Sequence, residues 1–212
     1  MTALKLVIAT PSPFARKARI ALLEKGVAFA VEVDNPWSPG ARAPAHNPLG
    51  KIPVLLTADD GAIFDSRLIV EYAEAKWPTP PLLPAHALDR VAVRQVEALA
   101  DGVCDALVLI VLERARLPQL QSRDWIARQF AKVEAGVAEA ERRLAPGPCY
   151  DGRCFGLADI ALGCMLGYLD LRMPEFAWRE RAPGLDLLFT TLSQRESFRA
   201  TRPAAQPIGR VS

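Results

Sequence analysis

The sequence predicts an α/β domain followed by an all-α domain. Three observations carry that prediction. Up to residue 77, short strand-like runs alternate with helix-periodic ones; "PTPPLLP" at 78–84 can neither continue a helix nor pair in a sheet; and from about residue 88 the strand signals stop. The boundaries that follow are 1–77 for the first domain, 78–87 for a linker, 88–202 for the helical domain and 203–212 for a loose tail.

The first strand is "LKLVIA", and the helix after it, "PFARKARIALLEKG", has Pro13 at its first position and Gly26 at its end, as start and stop signals require. A strand at "AFAVEV" and a Pro-rich loop over 34–48 follow. The runs "PVLLT" and 62–64, joined by the turn "ADDGA", read as a hairpin. Helix "SRLIVEYAEAKW" closes the domain, with Ser66 as its expected N-cap. The order is βαβ, hairpin, helix.

In the second domain a long helix over about 88–116 ends before Pro118, with Gly102 the place where it would bend. Ser122 is placed to cap the next helix, whose Ile126, Phe130, Val133, Val137 and Leu144 recur at steps of three and four. "GLADIALGCMLGYLDL" is apolar nearly all round, through Ile160, Leu162, Met165, Leu166 and Leu169, so it belongs in the middle of a bundle. A further helix is expected after Pro183. No internal repeat is visible.

Composition excludes several classes of function. The 212 residues are 50% hydrophobic and 24% charged, an ordinary globular balance with enough chain for a real core. Net charge is +2, from 26 basic and 24 acidic residues spread without a basic block, which argues against nucleic acid as a partner. "LKLVIA" is too short, and too soon interrupted by Pro11, for a signal peptide, so a cytoplasmic protein is expected. The apolar run 107–112 falls far below the ~20 residues of a membrane helix and reads as buried helix. Cys104, Cys149, Cys154 and Cys164 form no CxxC pair and only two histidines accompany them, so no metal is expected; "CYDGRC" at 149–154 could hold a redox disulfide, but reduced thiols are the simpler expectation.

Arg16, Lys17 and Arg19 raise a physical question. They lie in the early turns of a helix whose N-terminus is already partly positive, a placement that costs roughly 0.3–1 kcal/mol per cation unless an anion is near. Ser12 before Pro13 caps a helix by local rules, and a serine capping Ser66's helix start would likewise make an anion site beside Asp65.

The segments "SPFARKARI", "NPLGKIPVL", "FDS", "EALADGVCDA" and "FGLADIALG", in this order and spacing, resemble those of the bacterial glutathione transferases over essentially the full chain. The resemblance implies a thioredoxin-like first domain, a helical second domain, glutathione as cosubstrate and a homodimer; the apolar and small-residue content of the helix at Ser66 and of the long helix beginning near Leu88 places the subunit interface there. The missing anion would be glutathione's thiolate, held at the N-terminus of the first helix by backbone dipoles and a hydroxyl. Ser12 is the first choice for that hydroxyl, Thr10 the second, and capping alone is the alternative for either. Arg16 and Arg19 would add positive potential there or bind acids of the neighbouring domain.

The resemblance assigns the rest of the tripeptide in turn. Ile52, turned outward by a cis peptide to Pro53, would pair with the cysteinyl backbone as a short added strand, and Lys51 would reach the glycyl carboxylate. Ser66 would take the γ-glutamyl carboxylate and Asp65 its ammonium, with Asp101 contacting that ammonium from the partner subunit. "FGLADIALG" departs from the family pattern: Gly156 stands where Ser or Thr usually forms a capping box with Asp159, so half the box is absent and Asp159 alone is expected to support the helix start.

An electrophile's pocket is expected between the domains, walled by Phe14, the Pro36–Trp37 loop, Leu107, Val111 and Tyr168. These apolar walls permit many hydrophobic acceptors. The primary expectation is a detoxifying transferase; the rivals are a glutathione-dependent peroxidase, isomerase or dehalogenase, and a non-catalytic binding or regulatory protein on the same fold. Serine in place of cysteine argues against disulfide exchange, which needs a protein thiol.

Overall fold

The computed structural model describes residues 4–152 and 154–208. Strands β1 (Lys5–Ile8), β2 (Ala30–Val33), β3 (Val54–Leu56) and β4 (Ala62–Phe64) form one sheet in the order β2-β1-β3-β4. β1 runs parallel to β2, because helix α1 (Pro13–Glu24) returns the chain across the sheet, and antiparallel to β3, which pairs antiparallel with β4. Leu6 and Ile8 of β1, Leu55 of β3, Ala15, Ala18 and Leu22 of α1, and Ile69 and Ala73 of α2 (Ser66–Lys76) pack as the core of this domain. This is the thioredoxin-like arrangement of a four-stranded mixed sheet with helices.

The second domain is helical: α3 (Ala87–Arg114), α4 (Arg123–Arg143), α5 (Leu157–Arg172), α6 (Trp178–Arg181), α7 (Pro183–Ser193) and α8 (Glu196–Ala200). Ser122 caps α4 as expected, its Oγ accepting from the Trp125 N–H at 3.2 Å. α3 runs unbroken through Gly102. Residues 157–169 of α5 are all buried, so it is the axis around which α3, α7 and α1 of the first domain pack. α6 and α8 were not readable from sequence, since four and five residues are too few to show a period.

The junction between the domains answers the question of the misplaced cations. Lys17, 1% exposed, places its Nζ 2.8 Å from Glu97 Oε1 and 2.7 Å from Asp101 Oδ2, both on α3. Arg16 is buried too and donates to the Phe198 carbonyl at 3.3 Å, the Gly163 carbonyl at 3.4 Å and the Thr201 hydroxyl at 3.4 Å, while Arg19 donates to the Ala200 carbonyl at 3.2 Å. The Phe198 and Ala200 carbonyls lie at the C-terminal end of α8, the negative end of its dipole, while that of Gly163 belongs to α5. Of the three cations, Lys17 binds the neighbouring domain's acids; Arg16 and Arg19 bind carbonyls. Gly167 permits this, because a Cβ there would overlap the Arg16 guanidinium.

The linker is fastened as well. Lys25 Nζ donates to the Trp77 and Pro80 carbonyls at 2.7 and 2.9 Å and pairs with Glu74 at 2.6 Å. At α5, Asp159 accepts from the Gly156 and Tyr150 N–H groups at 3.0 and 2.8 Å, so the carboxylate half of the capping box is present. The tail is not loose over its described part: residues 204–207 hydrogen-bond to Thr10, Asp34 and Asn35. The four cysteines are free, and among the described residues no cluster suited to a metal and no helix long and apolar enough to cross a membrane is found.

Candidate active site

The turn between β1 and α1 brings Ser12 to the helix start. Ser12 is extended (φ −67°, ψ 121°), its N–H donates to the Ala9 carbonyl at 3.1 Å, and its Oγ accepts from the Ala15 N–H at 3.1 Å. That cap fills an acceptor position and leaves the hydroxyl proton, which bonds to no described residue, available to an incoming anion. Thr10 differs. Its Oγ1 donates to the Ala204 carbonyl at 3.1 Å, so its proton is already in use. Pro13 has no N–H, and the first N–H groups of any helix lack intrahelical partners, which makes this end receptive to negative charge.

The peptide between Ile52 and Pro53 is cis. Ile52 precedes β3, whose ladder begins at Val54, so its N–H and C=O lie outside the sheet register. Asn47 steadies this approach by donating from Nδ2 to the Lys51 carbonyl at 2.9 Å, and Lys51 itself is exposed.

At the junction of β4 and α2 the cap is Asp65, not Ser66. Asp65 Oδ1 accepts from the Arg67 N–H at 2.9 Å, and Ser66 is the first helical residue, buried at 4% exposure. The local rule favoured serine, but a strand leading into α2 turns one residue earlier. Asp65 has φ 71°, the left-handed region that a side chain rarely adopts, and it is the one non-glycine residue with positive φ among those described. Such outliers persist where surrounding structure imposes them, commonly at binding sites. Arg67 pairs with Asp65 through Nε at 3.1 Å and Nη2 at 2.7 Å; sequence reading passed over it, although a cation in the first turn of a helix is the signal that singled out α1.

Asp101 engages Lys17 of its own chain, with its side chain 15% exposed. Burial pushes its carboxyl up, against the pull of Lys17. Asp105, one turn on, is also pushed up by partial desolvation, while Lys51, Arg67 and Lys17 draw it down. Asp105 thus lies in the field of Lys51 and Arg67 of the first domain, and Asp101 in that of Arg67, so that charges of both signs gather near the domain junction.

The expected acceptor walls are only partly accessible. Leu107 is fully buried in the core of the helical domain and cannot line a pocket, and Tyr168, 5% exposed, is buried there with it. Helical periodicity marked both as apolar but could not say that α3 and α5 are covered on those faces. Phe14 and Val111 are half-buried, and Trp37 is 46% exposed. A cavity of about 530 Å³ lies elsewhere, between the linker, the end of α2, Asp151 and residues 154–159; none of the expected site residues lines it.

The glutathione S-transferase N-terminal domain family matches residues 11–76, and the glutathione S-transferase C-terminal domain family matches residues 123–189. The chain belongs to the glutathione S-transferase family. It is 45% identical, with a TM-score of 0.94 and 98% of both chains covered, to the crystal structure of a glutathione S-transferase from Methylobacterium radiotolerans JCM 2831 in complex with glutathione sulfonate. It is 40% identical over 94% of its length, and 98% of the relative's, to the GST-like protein YibF of Escherichia coli K12. Maleylacetoacetate isomerase of Pseudomonas aeruginosa PAO1 is 31% identical over 90% of this chain and 92% of its own. Within this glutathione S-transferase fold, β1–α1 and β4–α2 supply two helix starts, and the loop before the interior strand β3 presents the Ile52 backbone, which lies outside the ladder.

Proposed function

We propose that the protein is a glutathione transferase in which Ser12 stabilises the glutathione thiolate for attack on a hydrophobic electrophile. The observation that carries this reading is the unequal state of two hydroxyls: the Ser12 hydroxyl at the N-terminus of α1 donates to no acceptor among the described residues, whereas that of Thr10 donates to Ala204. A free thiol has a pKa of about 8.5, so a donor and a helix N-terminus that favour the anion raise the reactive fraction at neutral pH. The thiolate sulfur then forms a bond to the electrophilic carbon, and the electron pair leaves with the displaced group or is taken up with a proton. Ile52 pairs with the backbone of the tripeptide; Lys51 attracts its glycyl carboxylate; Asp65, Ser66 and Arg67 receive the γ-glutamyl end, with Asp101 behind them. Complexes of similar proteins with glutathione and with glutathione sulfonate support glutathione as the cosubstrate.

A second reading uses the same thiolate. The likeness to maleylacetoacetate isomerase favours reversible addition to a conjugated double bond, in which the C–S bond forms, the carbon–carbon bond rotates and the sulfur is expelled. Retention on immobilised glutathione, followed by a panel of halogenated aromatic, epoxide, peroxide and cis-enone acceptors, separates the readings by the product formed. Retention without turnover of any acceptor would favour a binding protein instead, and loss of retention would remove glutathione from the account.

The reading extends to a cytoplasmic homodimer. α2 and α3 expose Leu68, Leu88 and Val91 at 57, 72 and 64%, an apolar set that a second copy would cover. Light scattering at micromolar concentration is expected to give twice the 23.1 kDa chain mass; the monomer mass would refute it.

A further inference from the structure

We propose that Gln206 is a positioning residue that sets the width of the acceptor site by clasping the turn carrying Ser12 to the loop carrying Trp37. The proposal rests on the transferase reading for its consequence, but its geometry stands independently. The β1–β2 ladder ends with the Asp34 N–H donating to the Ile8 carbonyl at 2.7 Å, and beyond that point the C-terminal segment takes over both chain ends. Gln206 Oε1 accepts from the Thr10 N–H at 3.3 Å and Gln206 Nε2 donates to the Asp34 carbonyl at 3.0 Å, so one amide spans the two turns. Its orientation is fixed, since one partner can only donate and the other only accept.

Neighbouring bonds reinforce the clasp on each side. Ala204 accepts from the Thr10 hydroxyl at 3.1 Å and donates its N–H to the Thr10 carbonyl at 3.4 Å. The Pro207 carbonyl accepts from Asn35 Nδ2 at 2.9 Å, and Asn35 Oδ1 accepts from the Trp37 N–H at 3.1 Å. Asp34, buried, fixes the far end of the same loop by accepting from the Arg42 and Ala43 N–H groups at 2.9 and 2.8 Å. Trp37 is therefore connected through Asn35 to the tail, and the tail through Gln206 to the residue two before Ser12. None of these bonds involves Lys51, Ile52 or Ser66. Loosening the clasp should let the loop carrying Trp37 move relative to the turn carrying Ser12 and admit bulkier acceptors, while leaving the glutathione contacts as they are.

The test compares wild type, Gln206→Ala and Gln206→Glu, the last of which keeps an acceptor for Thr10 but lacks the donor for Asp34. Protein labelled with 5-fluorotryptophan gives a resonance for each of its four tryptophans, with Trp37 assigned from Trp37→Phe. Both Gln206 variants are expected to shift or broaden the Trp37 resonance alone. They should also raise the kcat/KM ratio of a bulky acceptor to a small one by about 2- to 10-fold, the range of one hydrogen bond, with an unchanged KM for glutathione. An unmoved Trp37 resonance would overturn the clasp. So would an equal fall for every acceptor together with a raised glutathione KM, the mark of a general loosening. Should the wild type turn over no acceptor, the transferase reading fails, and the Trp37 resonance by itself decides the clasp.

Discussion

A Cβ at Gly156 would stand 2.8 Å from the carbonyl oxygen of Leu82. The linker backbone approaches the start of α5 so closely that the Leu157 N–H donates to the same carbonyl at 2.8 Å. Glycine at the cap is therefore required by the linker, and the missing serine of the capping box was displaced by a backbone oxygen.

Restoring that serine should harm the protein. Gly156→Ser is expected to lower stability by about 1–3 kcal/mol, the usual penalty for overpacking, although serine is the better cap in isolation. Urea unfolding of the variant beside wild type measures this, and a gain in stability would show that the linker yields.

Asp159 holds the other half of the same cap. Asp159→Ala leaves the Tyr150 and Gly156 N–H groups without their acceptor, and each buried unmet donor costs about 1–3 kcal/mol. The melting temperature should fall by several degrees with no change in the glutathione KM of the protein that remains folded. A selective loss of glutathione affinity would give Asp159 a role beyond the cap.

For the chemistry, Ser12→Gly is the cleaner substitution, because glycine costs a cap only a few tenths of a kcal/mol compared with serine. Loss of one charge-assisted hydrogen bond, worth about 1.5–3 kcal/mol, should raise the pKa of bound glutathione by roughly one to two units. Thiolate absorbance titrated against pH reads it directly. Thr10→Val should leave the curve where it is, since the Thr10 proton points to Ala204. A shift with Thr10→Val and none with Ser12→Gly would exchange their roles.

Lys17 supplies the largest expected stability effect. Lys17→Met leaves Asp101 buried without its close cation and Glu97 with Arg94 alone, 2.6 Å away, a loss of about 3–5 kcal/mol. Adding Glu97→Gln and Asp101→Asn should recover much of it, because the carboxylates then have no charge to compensate. Additive losses in the triple variant, measured by urea unfolding, would contradict the coupling.

Asp101 should also make stability depend on pH. Burial holds its carboxyl above the ordinary value of 3.8, more strongly than Lys17 lowers it. The folded chain therefore keeps this proton to a higher pH than the unfolded one, and its stabilising contribution, complete below 3.8, is lost as pH rises through the folded value. Asp101→Asn cannot ionise, so its stability relative to wild type should improve as pH is raised from 3.8 through that window and then level off. A relative stability that is flat or falls across the same range would mean that Lys17 outweighs burial.

The strands and long helices were legible because their periods and punctuation are local: Pro13 at a helix start, the turn at 58–62, the Pro-rich linker. The Ser12 cap was legible for the same reason, whereas the cis Ile52–Pro53 peptide followed from the family resemblance. What escaped depends on partners far along the chain. Lys17 meets Asp101 across 84 positions, and Thr10 meets Gln206 across 196. Three adjacent cations look alike in sequence, so only packing could show that Lys17 alone finds carboxylates. Leu107 and Tyr168 escaped differently, since an apolar position on a helix covered from several sides is not distinguishable by period from one that faces a cleft.

The fastening of α1 to the helical domain has a thermodynamic consequence. Separating the two halves would strand the Arg16 guanidinium's bonds, uncover Gly167's groove and dissolve the Lys17 triad at one stroke, so neither half has a stable intermediate to fall back on. Heating should give a single calorimetric peak whose van't Hoff and calorimetric enthalpies agree for one copy of the chain, once any assembly of copies is allowed for. Two architectural domains then behave as one cooperative unit, and a lesion confined to the sheet lowers the melting of the helices by the same amount.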